Sequence, residues 1–517
     1  MELVDQMKTR TVCVGIEPLP WERFLDVALS GAGVEISSDP AFLARMERSA
    51  GHLGQALESG QPIYGVTTGF GGACGLRLSA DQSSELGANL LRYHGIGVGN
   101  PLPVPEIRAA ILARIVCLAQ GYSGVSLALL RQLAALLNAG ITPVVPSCGS
   151  VGASGDLTPM SYIAAVLAGE REAFYEGRRM PASQALALAG IEPYRLGPKE
   201  ALSMVNGTSV MTGVALLALR RSRSILRAAT LATAFSVHAM AGHPRHFHPT
   251  LSQARPHAGQ VQTAARLASL LVATGDVSES QEPAALQDPY SLRCSPHVLG
   301  VLEDTLDWAT RWVEIEANGV SDNPLFEPDT GELLTGGNFY GGHIALAMDA
   351  LKTAVASVAD LCDRQVAHLV DSRFSRGLPL GLTGAEPATR MLHHGYKASQ
   401  ISASALTAEA LKLTVPATSF SRSTELHNQD KVSMGTIAAR DAASVAELAA
   451  AVVAIHLAAA AQGAELRGGV ESRPALAQAL PALRRVVEFL VQDRPLDCEI
   501  AALSREILAG TFDRFAD

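Results

Sequence analysis

The chain has 517 residues, 48% apolar and only 5% aromatic, so it can bury a large core and favours Ala/Leu-rich helices over a β-sandwich. A formal net charge of −9 without a basic block argues against a nucleic-acid partner. Seven cysteines (13, 74, 117, 148, 294, 362 and 498) with no Cys-x-x-Cys predict free thiols in a reducing cytoplasm.

The first residues carry neither a basic n-region nor an apolar h-region, so no signal peptide is expected. The longest apolar run, 448–461, holds His456 and is too short to span a bilayer; it reads as a buried helix, and no membrane partner is expected. Residues 11–14 read as a short strand. Ser37-Ser-Asp-Pro40 is a helix start, with Ser38 or Asp39 as cap and Pro40 in the first turn, and the helix runs over 41–59. Residues 60–75 hold six glycines around Tyr64. That loop is either mobile or approaches something closely with its backbone. No Lys follows to make it a phosphate cradle, so no nucleotide is expected. A tyrosine on a closable loop serves as a base if its pKa falls well below ~10; the alternative is a packed loop aromatic.

A helix over 83–92 leads to Tyr93 and His94, the latter in a position that a helix C-terminus favours. Helices follow over 105–119 and 127–139. The stretch Gly149-Ser-Val-Gly-Ala-Ser-Gly-Asp-Leu-Thr-Pro-Met160 then gathers small residues around Ala153, Ser154 and Gly155. With no side-chain bulk at Gly155, its nitrogen can close on the Ala153 carbonyl carbon, and dehydration of Ser154 leaves an exocyclic methylene. The product is a methylidene-imidazolone (4-methylidene-imidazole-5-one, MIO), an electrophile no side chain provides, made by the chain from itself. The alternative is a turn capping the helix over 157–168, with Ser154 or Asp156 at the N-cap. Residues 175–179 resemble a hairpin edge and 182–189 a short helix.

From 201 onward, long Ala/Leu-rich helices dominate. Asn206-Gly-Thr-Ser209 opens one of them, and the Asn206 amide suits either an N-cap or the task of holding the ring's carbonyl oxygen as charge builds. His238, His243, His246 and His248 cluster, but Pro244 and Pro249 interrupt them and no acidic ligand or His-Glu-x-x-His is near, so no metal is expected. Gln287-Asp-Pro-Tyr-Ser-Leu-Arg293 puts Tyr290 and Arg293 three apart, on one side of a helical turn. Arg293 offers a planar fork to a carboxylate, or else caps a helix or pairs with Glu303. Ser321-Asp-Asn-Pro324 and the stretch around Gly337-Asn-Phe339 are breaks between helices. Long helices are predicted over 344–369, 388–411 and 438–461, the spine of a bundle, with short helices after 474.

The segment around Ser154 resembles the prosthetic-group segment of the histidine and aromatic amino acid ammonia-lyases and their aminomutase relatives. Tyr64-Gly-Val-Thr-Thr-Gly-Phe-Gly71, Asn206-Gly-Thr208, Gln287 to Arg293, Ser321-Asp-Asn-Pro324, Gly337-Asn-Phe339 and His427-Asn-Gln-Asp430 recur in family order. The resemblance implies a mostly α fold: a long central helical bundle with a smaller mixed N-terminal region bearing the ring segment. The expected division is 1–205, with the Tyr64 lid and ring segment, and 206–517, with the bundle and C-terminal helices, together one catalytic unit.

It further implies that Tyr64 removes the β-proton and that Ala153, Ser154 and Gly155 form the MIO. Asn206, Tyr290 and Gln287 sit near the ring and amine. Arg293 holds the carboxylate, Phe339 packs against ring or substrate, and Asn428 and Gln429 line the pocket. Tyr93 and His94 meet the substrate's side chain, although Tyr93 departs from the pairs of any one substrate branch. Histidine-directed enzymes carry a glutamate at the place of Gln429, which is neutral and cannot pair with an imidazolium. The implied activity is ammonia elimination from tyrosine, or phenylalanine, by a homotetramer with shared active sites. An aminomutase making β-tyrosine and a histidine ammonia-lyase are the alternatives.

Overall fold

Trp21, Phe24, Leu25 and Ala28 fall on one helical face, and in the computed structural model they are the buried side of α1 (Trp21–Leu29). The structure describes residues 11–274 and 286–516. It is mostly α-helical. Asp39 caps α2 (Pro40–Glu58), its carboxylate accepting from Ala41 N and Phe42 N at 2.9 and 3.0 Å. A reciprocal Ser79/Gln82 capping box starts α3 (Ala80–Tyr93), which ends at His94.

Next come α4 (Val104–Ala119), α5 (Leu127–Asn138), α6 (Leu157–Leu167), α7 (Ala182–Leu188) and α8 (Glu200–Val205). Beyond them lie α9 (Ser209–Ala239), α10 (Ala258–Leu270), α11 (Ser295–Asn318), α12 (Gly342–Val370), α13 (Lys397–Lys412), α14 (Gly435–Arg467), α15 (Pro474–Arg484) and α16 (Asp497–Ala509). The strands are short. β1 (Val12–Val14) pairs in parallel with β2 (Val34–Ile36), and β3 (Val98–Pro101) pairs antiparallel with β5 (Pro146–Cys148). β4 (Thr142–Pro143), β6 (Glu172–Tyr175) and β7 (Arg178–Pro181) make a three-stranded antiparallel sheet.

The chain divides into two units, each made of several segments. The first takes the described residues through Leu217, with Thr310–Asp349 and Pro416–Arg440. The second takes those of Ala218–Ala309, Ala350–Val415 and Asp441–Asp517. The boundaries fall inside helices, at Leu217/Ala218 in α9 and at Arg440/Asp441 in α14.

Within the first unit α4 is buried on nearly every face, and it carries two buried arginines, Arg108 and Arg114, whose guanidiniums donate to backbone carbonyls. Ile63 and Val66, on either side of Tyr64, are buried with Leu53, Ala56 and Phe326. The tyrosine loop is thus rooted in the core at its base, and Thr68 bridges to Arg77 farther out.

In the second unit the four clustered histidines have ordinary partners where the structure gives any. His238 Nε2 meets Gly468 O and its Nδ1 accepts from Arg473, His246 meets Asp288, and His248 caps a short helix. The helix expected over 388–411 begins only at Lys397, because a separate tight turn at Arg390–Leu392 and the positive φ of Gly395 (57°) precede it. Helix α14 extends well past the 14-residue apolar run and is long and apolar enough to cross a membrane by length and composition. However, 72% of its apolar window is buried, and His456 within it is fully buried against Ser236 Oγ at 2.7 Å.

Candidate active site

The local backbone at Ser154 is unusual before any side chain is considered. Ser154 has φ 49° and Gly155 φ 76°, a left-handed pair in which only the second residue is free of steric cost. A Cβ at Gly155 would run into the carbonyl of Gly207, so no other residue fits there. Gly207 N donates to Ser154 O at 3.0 Å and Gly207 O accepts from Asp156 N at 2.7 Å, lacing the bend to the start of α9. Such strain persists only where surrounding contacts over-determine it. This segment therefore fits the ring-forming reaction: Gly155 N is free of bulk, and Ser154 O, which becomes the ring's carbonyl oxygen, already has a backbone donor. The alternative of Asp156 as a side-chain cap does not hold. Its carboxylate accepts from Met211 N at 2.7 Å and from the Thr436 and Ser150 hydroxyls. Burial pushes its pKa up against those bonds.

A cavity of about 210 Å³ opens over Ser154. Tyr64, Ala153, Ser154, Asn206, Phe339, Asn428 and Gln429 line it, together with Asn323, Tyr340, Asp430 and Lys431. Seven of the expected residues thus gather from segments far apart in the chain. Gln429 is fixed at both ends of its amide: Oε1 accepts from Thr424 Oγ1 at 3.1 Å and Nε2 donates to Ser154 Oγ at 3.3 Å. The turn that carries it holds three consecutive residues at positive φ, Glu425, Leu426 and His427.

Tyr64 OH accepts from Gly71 N at 2.8 Å, a bond that favours the phenolate. Burial nevertheless raises its pKa, and Glu425 adds to the rise. Glu425 also holds the loop, accepting from Gly72 N at 2.9 Å, in a space that a Cβ on Gly71 would fill. Motif reading missed this residue.

Asn206 lines the cavity, but its amide nitrogen is not available to the ring oxygen. Nδ2 donates to Asp322 Oδ1 at 3.2 Å and to Asn323 O at 3.1 Å. Turning the amide over would set three acceptors against one another, so the orientation is dictated by chemistry. Gly207 N donates to Ser154 O, and the Asn206 amide is not among the partners of that oxygen. Behind Asn206 lies a buried charge network that sequence reading also missed. Lys199 Nζ donates to Asp322 Oδ2 at 2.7 Å with both side chains fully buried, and Ser203 Oγ donates to the same oxygen. Arg114 holds Asn206 O at 2.7 Å and Ser321 O at 2.9 Å. Burial alone would raise the Asp322 pKa, but Lys199 and Arg114 hold it down, so it is ionised. The only sequence signal was the Ser321-Asp-Asn-Pro324 break.

Tyr93, His94, Gln287, Tyr290 and Arg293 are not among the cavity's walls. Tyr93 and His94 stack at the end of α3 with ring centroids 4.2 Å apart. Burial and the nearby Arg171 lower the His94 pKa to about 4, so it is neutral at ordinary pH. Its Nε2 is buried without a hydrogen-bond partner among the described residues. In the second unit, Tyr290–Arg293 is a single helical turn, as expected. Arg293 lies over the Tyr290 ring at 4.4 Å, and its Nε donates to Asp288 O at 3.1 Å. The alternative partner Glu303 pairs instead with Arg227 and Arg266.

The model of the aromatic amino acid lyase family matches residues 19–485. A histidine ammonia-lyase of Aromatoleum aromaticum is 40% identical over 503 residues, 97% of this chain and 94% of the relative. A tyrosine aminomutase from Streptomyces globisporus is 35% identical, with a TM-score of 0.91 over 98% of each chain. The phenylalanine aminomutase of Pantoea agglomerans is 29% identical, with a TM-score of 0.90 over 97% of this chain and 99% of that one. The chain therefore belongs to the aromatic amino acid ammonia-lyase and aminomutase family, and it is a carbon–nitrogen lyase of the ammonia-lyase type.

Proposed function

We propose that this enzyme eliminates ammonia from L-tyrosine, and less efficiently from L-phenylalanine, to give trans-coumarate or cinnamate. One observation carries the substrate choice: the side chain bonded to Ser154 Oγ is the neutral Gln429. An imidazolium substrate would want an anion there. The resemblance places His94, a neutral imidazole, against the substrate's side chain, although it does not line this cavity, and His94 alone does not exclude histidine. The names of the relatives include histidine, tyrosine and phenylalanine as substrates, so they leave this choice to the pocket.

The chemical obstacle is a β-proton of low acidity and a poor leaving group. The self-formed MIO of Ala153, Ser154 and Gly155 supplies an electrophile that makes the amino group a competent leaving group. Tyr64, as phenolate, takes the β-proton, and Gly71 N stabilises that phenolate. Arg293 receives the carboxylate, with Tyr290 and Gln287 beside it. Gly207 N holds Ser154 O. The reading includes a homotetramer with shared active sites, working in a reducing cytoplasm where all seven cysteines stay free.

The likeness to aminomutases favours one second reading, in which ammonia returns to the β-carbon. Incubating pure protein separately with tyrosine, phenylalanine and histidine, and identifying products by mass, tests both. Free coumarate supports the lyase, β-tyrosine the mutase, and urocanate alone overturns the tyrosine reading.

A further inference from the structure

The Asn206 amide is committed. Both hydrogens of Nδ2 are directed at Asp322 Oδ1 and Asn323 O, and no hydrogen bond reaches Oδ1 among the described residues. Asn206 is a wall of the cavity that holds Tyr64 and Ser154. What the residue offers to a bound molecule is therefore an acceptor. An acceptor beside Ser154 suits an amine and opposes a carboxylate or a developing oxyanion.

The orientation is set by one charge. Asp322 is ionised and fully buried, Lys199 Nζ compensates it at 2.7 Å, and Ser203 Oγ and Asn323 N take its remaining lone pairs. Lys199 reaches this position from a left-handed backbone, φ 64°, at the entry to α8. Such conformations are uncommon for residues other than Gly, Asn and Asp. A buried ion pair contributes little net stability against an apolar pair of similar volume, so its use here is specificity of orientation.

We infer that the Lys199–Asp322 pair is a positioning device that holds Asn206 with its carbonyl oxygen toward the cavity, where that oxygen accepts from the substrate's amino group. This rests on the amino acid reading of the site and adds to it the atom that recognises the amine.

The test compares two ligands that share a carboxylate and an aryl group but differ in the amine. In a Tyr64→Phe parent, which cannot take the β-proton, calorimetry measures the Kd of L-tyrosine and of trans-coumarate. The double variant Lys199→Met/Asp322→Asn, which removes both charges, is then made in that parent and its thermal midpoint recorded. Affinity for tyrosine is expected to fall about tenfold, the consequence of an amine meeting a wrongly turned amide. Affinity for coumarate is expected to stay within about twofold.

Equal losses for both ligands, or no loss for either, overturn the inference. Should the double variant fail to fold, Asp322→Glu keeps the charge and shifts its oxygens by one methylene, and the same ligand comparison decides. Intact mass of the parent separates the two kinds of failure. If the parent and the double variant are both two waters light, equal losses in the double variant refute the role of Asp322 alone. A parent at full sequence mass that binds neither ligand refutes the ring reading and this inference with it.

Discussion

The ring segment and the Gln287–Arg293 turn are both short, irregular and rich in predicted function, yet they are built in opposite ways. Around Ser154 nearly every polar atom is spent. Backbone bonds lace the segment to Gly207, and Asp156, Asn206 and Gln429 each have two or more partners. In the Tyr290–Arg293 turn, Tyr290 is 71% exposed and Arg293 commits only its Nε, to Asp288 O, among the described hydrogen bonds. A group that must perform chemistry on its own backbone needs strain and rigidity. An anchor for a carboxylate needs unspent donors.

This contrast predicts unequal responses to mutation. The largest belongs to Ser154. Ser154→Ala removes the atom whose loss creates the electrophile, so turnover should fall to background while the thermal midpoint holds; measurable turnover would contradict the ring. Next is Arg293→Ala, where losing a charge-assisted fork costs roughly 2–5 kcal/mol in transition-state binding. Catalytic efficiency should drop at least about tenfold, with Arg293→Lys recovering part. Near-native efficiency would assign the carboxylate to another residue.

A smaller effect is expected at Glu425. Tyr64 acts as a base only when deprotonated, so efficiency rises with pH through its pKa, and burial followed by Glu425 places that rise high. Cys74 and Tyr93 also face the same phenol. Glu425→Gln should move the rising limb to lower pH, and added salt should shrink the difference, since Glu425 is exposed. A limb that stays in place would mean that Glu425 acts on the loop alone. The smallest effect concerns His94. His94→Phe should reverse the tyrosine-to-phenylalanine preference, since a polar nitrogen left unmatched costs about 1–3 kcal/mol. A ratio unchanged within about twofold would remove His94 from the selection of substrate.

Much of this site was legible because its chemistry is local. Asp39 caps α2 where the Ser-Asp-Pro string placed a helix start, and Ser154, Gln429 and Phe339, each singled out by its motif, line one cavity. The missing parts were long-range. Lys199 and Asp322 are 123 residues apart, and nothing near either announces a buried ion pair. The same is true of Glu425 and Gly72, 353 residues apart. Helix α1 carries its i, i+3, i+4, i+7 apolar face in Trp21, Phe24, Leu25 and Ala28, a signal too short at nine residues to stand out beside the longer helices. The orientation of the Asn206 amide was not legible for another reason. Sequence shows that an amide is present but not which of its two ends is already occupied.

The central claim is that the chain makes its own electrophile, and intact mass spectrometry tests it most directly. Purified protein should weigh two waters less than its sequence, with the deficit confined to the peptide holding Ala153, Ser154 and Gly155 and absent in Ser154→Ala. An active preparation at full sequence mass would contradict the account.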